Sequence, residues 1–200
     1  MSLLKGKRIG VALTGSHCTV GEILPQFERM AQAGAVLFPI LSPSVQQTDT
    51  RFGTAAAARK EIERITGRKP WLEIVDVEPI GPQQLLDLLL IAPCSGNSLA
   101  KLARGITDSA VLMAAKAQLR NRRPLLLSIS TNDALGLNAA NLAVLLNTKH
   151  IYMVPFGQDS PDGKPNSMVA RPDLIIPAAE AALEGRQLQP ILVSPLENSR

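Results

Sequence analysis

The chain has 200 residues, 46% of them hydrophobic and 19% charged, a length and balance that fit one independently folding domain and exclude a disordered, charge-rich chain. Its net charge of +4 is dispersed, densest at Arg120, Arg122 and Arg123, and one Trp with one Tyr leaves no stacking surface for single strands, so no nucleic-acid partner is expected. No apolar run reaches the ~18 residues of a membrane span, the N-terminus lacks a signal-peptide pattern, and the two distant cysteines make neither a disulfide framework nor a metal site; a cytoplasmic protein without a membrane partner is expected.

Arg8–Leu13 reads as the first strand. The small-residue turn Thr14-Gly15-Ser16-His17-Cys18 follows, then a helix over Glu22–Ala33 closed by Gly34. Val36–Leu41 reads as the next strand and Gly53–Thr66 as a helix ended by Gly67, with Glu73–Val77 a weak strand before the breakers Pro79 and Pro82. Leu88–Ala92 is a near-continuous apolar run of the kind buried on both faces. Helices Ser98–Ala103 and Ser109–Arg122, strand Leu125–Ile129, helix Ala139–Asn147 and strand Ile151–Val154 continue the alternation. The Gly-, Pro- and Asp-rich stretch 155–171 is too long for a simple connection and reads as a flap. A last helix ends near Gly185, and a tail over 186–200 holds a short extended piece at Pro190–Val193. The pattern predicts a single domain over residues 1–200: a three-layer α/β fold, Rossmann-like or flavodoxin-like, with about six parallel strands and its ligand site beyond the strands' carboxyl ends.

Two loops at those ends carry chemistry. Gly15 and Ser16 let backbone amides and a hydroxyl approach a phosphate at a helix start, although many ordinary turns have this composition. Ala92-Pro93-Cys94-Ser95-Gly96-Asn97-Ser98 offers a turn-forming proline and three polar side chains before a helix. Its residues alone fit both a ligand loop and an ordinary capped helix start. No GxGxxG and no GxxxxGK[ST] occurs, so this chain has no evident dinucleotide site or P-loop.

The stretch Ala92–Ser98, continued through Leu99–Asp108, resembles the APATANTxAKxAxGIADxL segment of the homo-oligomeric flavin-containing decarboxylases, the flavoprotein family. Pro124–Asn132 is similar to that family's PxxxAPAMN stretch, with Asn132 in the place of its asparagine. The resemblance implies a homo-oligomer that binds FMN through Gly15, Ser16, Ser42, Ser95, Asn97 and Ser98, with Ser130 and Asn132 nearby. KGKRIGVALTGSHCT, TRFG at Thr50–Gly53, ITDSAVLMAAKAQLRNRRP, STNDALGLNAANL and PFGQD with KPNSMVA further resemble, over nearly the whole chain, one branch of the family. These are the flavoprotein subunits with which spore-forming bacteria make dipicolinic acid. That branch implies an oxidoreductase role during sporulation, in the mother cell. It also implies a tetrahydrodipicolinate-type substrate from the lysine pathway and a partner subunit that carries NADP in a Rossmann domain.

Departures from the wider family limit the transfer. Its decarboxylases place a catalytic histidine before a phenylalanine where this chain has Arg51-Phe52, and their flap carries a reactive cysteine that Phe156–Arg171 lacks. An arginine stays protonated and cannot shuttle a proton, so decarboxylation of a cysteinyl substrate is not expected, and no residue is assigned as catalytic acid or base. Arg51 fits a substrate carboxylate and equally a surface salt bridge. Lys164, Asn166 and Arg171 fit a flap closing over an anionic substrate and equally a flexible loop. His17 beside Cys18 reads as a filled turn, His150 as an exposed cap, and Asp108 as the N-cap of Ser109–Arg122. Two other functions stay open: a stand-alone FMN-dependent enzyme acting on another substrate, and a non-catalytic flavin-fold subunit that regulates a partner.

Overall fold

Five apolar runs become parallel strands: β1 (Arg8–Leu13), β2 (Val36–Leu41), β3 (Leu88–Cys94), β4 (Leu125–Thr131) and β5 (Ile151–Met153). In this computed structural model, which describes residues 2–194, they lie in the order β2-β1-β3-β4-β5. That is a flavodoxin-like order, with its switch between β1 and β3. Every residue of β3 is buried, because helices cover both faces of the sheet. Each fully buried Leu or Ile there contributes roughly 1.5–3 kcal/mol of apolar burial.

The helices are α1 (His17–Gln32), α2 (Pro43–Gln47), α3 (Ala55–Thr66), α4 (Ile74–Val77), α5 (Gly96–Ala103), α6 (Ala110–Arg120), α7 (Ala139–Leu146) and α8 (Ile175–Leu183). α1 and α8 pack on each other and on one face of the sheet, while α5, α6 and α7 make up the other layer. Gly67 ends α3 with a φ of 65°, where a side chain would be strained.

The tertiary structure corrects several expectations. Glu73–Val77 is not a sixth parallel strand: despite its β-branched residues it turns into α4, because Glu73 and Asp76 cap each other's backbone reciprocally. α1 begins at His17, five residues before the expected Glu22, and runs through Pro25. Pro93 lies within β3, where the register against β4 shifts between Ile91 and Cys94. α6 is capped by the Ser109 hydroxyl, which accepts from Leu112 N at 3.4 Å, and Asp108 pairs with Lys101 at 2.5 Å. His150 is half-buried, and its carbonyl accepts from Leu125 N at 2.8 Å.

The 155–171 segment is anchored at both ends. Its two short strands, β6 (Phe156–Gly157) and β7 (Met168–Ala170), pair antiparallel. β4 divides its edge between two neighbours, Leu125–Leu127 pairing with β5 and Ser130–Thr131 with β7, so the hairpin is laid over the carboxyl end of the sheet. Part of the expected tail is ordered, with Ile191 and Val193 hydrogen-bonded to Phe156, each at 3.0 Å; residues 195–200 of that tail lie outside the described residues.

At the opposite end Asp87 joins three segments, accepting from Arg8 N at 2.9 Å, from the Arg8 guanidinium at 2.9 Å and from Arg123 at 3.0 Å. Partial burial alone would raise its pKa, but the bonds from Arg8 and Arg123 outweigh it and hold the carboxyl at about 2. Among the described residues no helix is long and apolar enough to cross a membrane.

Candidate functional site

The carboxyl ends of β1, β3 and β4 are tied side by side by hydroxyls. Buried Thr14 donates to Pro93 O at 2.7 Å and accepts from Ser95 N at 2.9 Å, locking the β1 loop to the β3 loop. Ser16 donates to Ser130 O at 2.5 Å, and Thr19 Oγ1 lies 3.0 Å from Ser16 O and 3.3 Å from Ser130 Oγ. The Ser16 hydroxyl is directed at β4 and accepts from no amide of α1, so no side chain caps that helix and its start can offer amides to an anion. α5 differs: Ser95 Oγ accepts from Ser98 N at 3.3 Å and donates to Ser98 Oγ at 3.1 Å. The capped-helix reading of this loop therefore holds, on a loop that also lines a cavity.

Two depressions meet at this crevice. The larger, about 440 Å³, lies between Gly15, Ser16 and Asn97 on one side, Ser130–Asp133 on another, and Asp159, Lys164 and Ser167 of the hairpin. That volume is in the usual range for small-molecule sites. The smaller, about 300 Å³, is lined by Ser42, Ser44, Ser95, Asn97, Ser98 and Lys101. Asn97 lines both, and a methyl group added at Gly15 would lie 2.7 Å from Ser44 Oγ. Thus Gly15, Ser16, Asn97, Ser130, Asn132 and Lys164 meet in the first cavity, and Ser42, Ser95 and Ser98 in the second.

Arg51 and Asn166 lie outside both linings. Arg51 occupies the exposed turn Thr50–Gly53, its guanidinium 4.8 Å from the Phe52 ring centroid, and no ion pair involves it among the described residues. Asn166 acts through its backbone carbonyl, which accepts from Leu135 N at 3.0 Å. Arg171 pairs with Asp173 at 3.0 Å.

Sequence reasoning missed Asp133 and Asp159. Asp133 accepts from Thr131 Oγ1 and, at 2.8 Å, from Asn138 Nδ2, so one carboxylate braces the loop that presents Asn132. Its only signal in sequence is its place directly after Asn132. Asp159 receives Lys164 Nζ at 3.3 Å across the hairpin. Partial burial would raise the Asp159 pKa, but hydrogen bonding to Ser167 and Lys164 outweighs it and keeps the carboxyl below its usual range. Cys18 is exposed at the cavity wall, whereas Cys94 is buried and its thiol is pushed up to about 12, which leaves it unreactive.

Known proteins share both the sequence and this architecture. One of the subunits of dipicolinate synthase from Bacillus subtilis (strain 168) is 55% identical over 193 residues, covering 96% of each chain. The same synthase subunit from Bacillus halodurans, solved as a crystal structure, superposes with a TM-score of 0.89 at 49% identity, covering 98% of this chain and 100% of that one. AnUbiX (PadA1), solved with FMN and dimethylallyl pyrophosphate, shares the fold at 17% identity and a TM-score of 0.59, over 76% of this chain and 78% of its own. Residues 2–175 match the sequence profile of the flavoprotein family. With the parallel sheet, the β1–β3 crevice and that match over most of its length, the chain belongs to the flavoprotein family.

Proposed function

We propose that this chain binds FMN and serves as the flavoprotein subunit of a two-subunit dipicolinate synthase. It would act with the other, NADP-binding subunit of that synthase, forming dipicolinic acid from a tetrahydrodipicolinate-type lysine-pathway intermediate during sporulation, in the mother-cell cytoplasm. The observation that carries the flavin reading is the cavity beyond β1 and β3, since flavodoxin-like sheets hold FMN at that switch point. The 55% identity to a protein named as part of dipicolinate synthase supports the substrate and the partner.

The residues present fit FMN. The uncapped start of α1 and the hydroxyls of Ser16, Ser42, Ser95 and Ser98 suit a phosphate and a polyhydroxyl chain. Gly15 and Gly96, where an added methyl group would meet Ser44 and Thr131 at 2.7 and 2.5 Å, keep the backbone close to its neighbours. The amides of Asn97 and Asn132 with Ser130 suit the polar edge of a flavin ring. When bound, FMN would supply an acceptor for the hydride leaving a ring that is becoming aromatic, with the partner's NADP as the onward acceptor of those electrons. This chain's own part is to orient that ring, to narrow the cavity with the 158–167 turn, and to present Asn132 and Lys164 to the substrate. Arg51 and Asn166 stay substrate candidates from outside the cavity, and a homo-oligomer is part of the same reading.

Titration of the purified chain with FMN tests the first part. A spectral shift saturating at one FMN per chain and lost in Asn97→Leu is expected; no shift and no thermal stabilisation would sink the flavin reading. Turnover of a tetrahydrodipicolinate-type substrate by chain, partner and mixture tests the second. Activity only in the mixture is expected, and a full rate from the partner-free chain would refute the two-subunit reading.

A further inference from the structure

Among the described residues, the charges lining the larger cavity leave one carboxylate without a counter-ion. Its acidic and basic lining consists of Asp133, Asp159 and Lys164. Lys164 Nζ lies 3.3 Å from Asp159 Oδ2, so those two make a pair that is neutral as a unit. Asp133 accepts from the neutral donors Thr131 Oγ1 and Asn138 Nδ2, and no ion pair among the described residues involves it. In the smaller depression Lys101 and Asp108 offset each other at 2.5 Å. Arg51 lies against Phe52 outside both linings, and Arg171 is paired with Asp173.

An unbalanced carboxylate matters to a flavin because the ring changes charge when it is reduced. The oxidised ring system is neutral, whereas the ring reduced by two electrons is an anion at neutral pH. A fixed negative charge nearby therefore destabilises the reduced form and lowers the reduction potential. Asp133 belongs to the same lining as Asn97, Ser130 and Asn132, the groups that suit the polar edge of the ring, and its bonds to Thr131 and Asn138 hold it there. In the proposed reading the positive end of α1 is engaged by the flavin phosphate and does not offset Asp133.

We infer that Asp133 holds the reduction potential of bound FMN below that of free FMN, so that the flavin passes electrons from the substrate on to the partner's NADP. The inference rests on the proposed function and adds the direction of electron flow at the same cavity. Free reduced flavin is a weaker hydride donor than reduced nicotinamide, so a flavin that must reduce NADP has to be made a stronger one. Each dehydrogenation takes a hydride and a proton from the substrate ring. The hydride reduces the flavin and is then taken by oxidised NADP, which becomes NADPH as the flavin returns to its oxidised form; the proton goes to water. Aromatisation drives the first transfer, so the substrate can reduce even a flavin of low potential. A unit charge roughly 10 Å away, at an effective dielectric of about 20, shifts the relative affinity for reduced and oxidised flavin by on the order of tenfold.

Reductive titration of the FMN-loaded full chain against a reference dye tests this, with the potential read from absorbance at equilibrium. The parent should lie below free FMN. Asp133→Asn, which removes the charge and keeps the shape, should raise the potential by about 30 mV, the two-electron equivalent of a tenfold change. Lys164→Gln, at an exposed side chain, should lower it, because Asp159 then loses its counter-ion. Opposite signs are the mark of charge, since a merely loosened site would move both variants up toward free FMN. A parent potential at or above that of free FMN overturns the inference and leaves the proposed function standing. So does a potential that Lys164→Gln leaves unchanged or raises, or that an FMN-binding Asp133→Asn leaves unchanged. If Asp133→Asn does not fold, the position of the parent and the sign in Lys164→Gln decide. No FMN bound by the parent overturns the proposed function itself.

Discussion

Gly96, the first residue of α5, is the point where the cavity wall tolerates no side chain. A methyl group there would lie 2.5 Å from Thr131 Oγ1, 2.8 Å from Asp133 Oδ1 and 2.9 Å from Asn138 Nδ2. Each of these atoms is a side-chain tip, and a lone tip could swing away at little cost. Here they are bonded to one another through the Asp133 carboxylate, so moving one breaks a bond to a charged group, worth roughly 1.5–3 kcal/mol. Against this, Ala gains roughly 0.5–1 kcal/mol over Gly in a helix. The steric loss wins, and Gly96→Ala should destabilise by about 1.5 kcal/mol, or roughly 3–6 °C for a chain of this size. Gly21, exposed within α1, is the control, since nothing lies within 4 Å of a methyl group placed there. Gly21→Ala should stabilise by roughly 0.5–1 kcal/mol. Urea denaturation followed by circular dichroism, with FMN titration of both variants, checks the pair. FMN affinity should fall only in Gly96→Ala, where the loop holding Asn132 shifts. If Gly96→Ala is as stable as the parent, or moves in the same direction as Gly21→Ala, the bonded network is not the constraint described.

Asp87 should set part of the acid sensitivity. Its folded pKa of about 2 is below the unfolded value of about 4, so its pairing stabilises fully above about pH 4 and is lost as pH falls toward about 2, a contribution of about 2 kcal/mol. Asp87→Asn should lower stability at neutral pH and flatten its decline with acid; a decline as steep as the parent's in urea melts over that window would contradict this. Thiol labelling should separate the two cysteines, with Cys18 reacting in the native chain and Cys94 only after unfolding, because burial holds its thiol at about 12. Two fast-reacting native thiols, counted by mass spectrometry, would be inconsistent with a buried Cys94.

Local pattern carried much of the fold. Apolar runs at Arg8–Leu13, Val36–Leu41 and Leu88–Ala92 could only be buried strands, and Gly34 and Gly67 marked helix ends where positive φ is needed. The loops holding Gly15, Ser16, Ser95, Asn97 and Ser98 were equally legible, because a strand that leads directly into a helix places its connecting residues at the sheet's carboxyl edge. What the tertiary structure alone decided depends on partners far apart in sequence. Glu73–Val77 has strand-like composition, yet it forms a helix because its own acidic side chains satisfy its backbone. The 155–171 segment reads as a loop, and it becomes β6 and β7 because β5 ends early and leaves the last residues of β4 an open edge. Arg51, Asp133 and Asp159 show the same limit at the level of charge. Residue type told which groups could meet an anion, but hydrogen-bond partners and loop direction put the arginine outside the cavity and two carboxylates inside it. Periodicity specifies which face of an element is buried, whereas the charge inside a cavity is set by contacts between elements, and those exist only once the chain has folded.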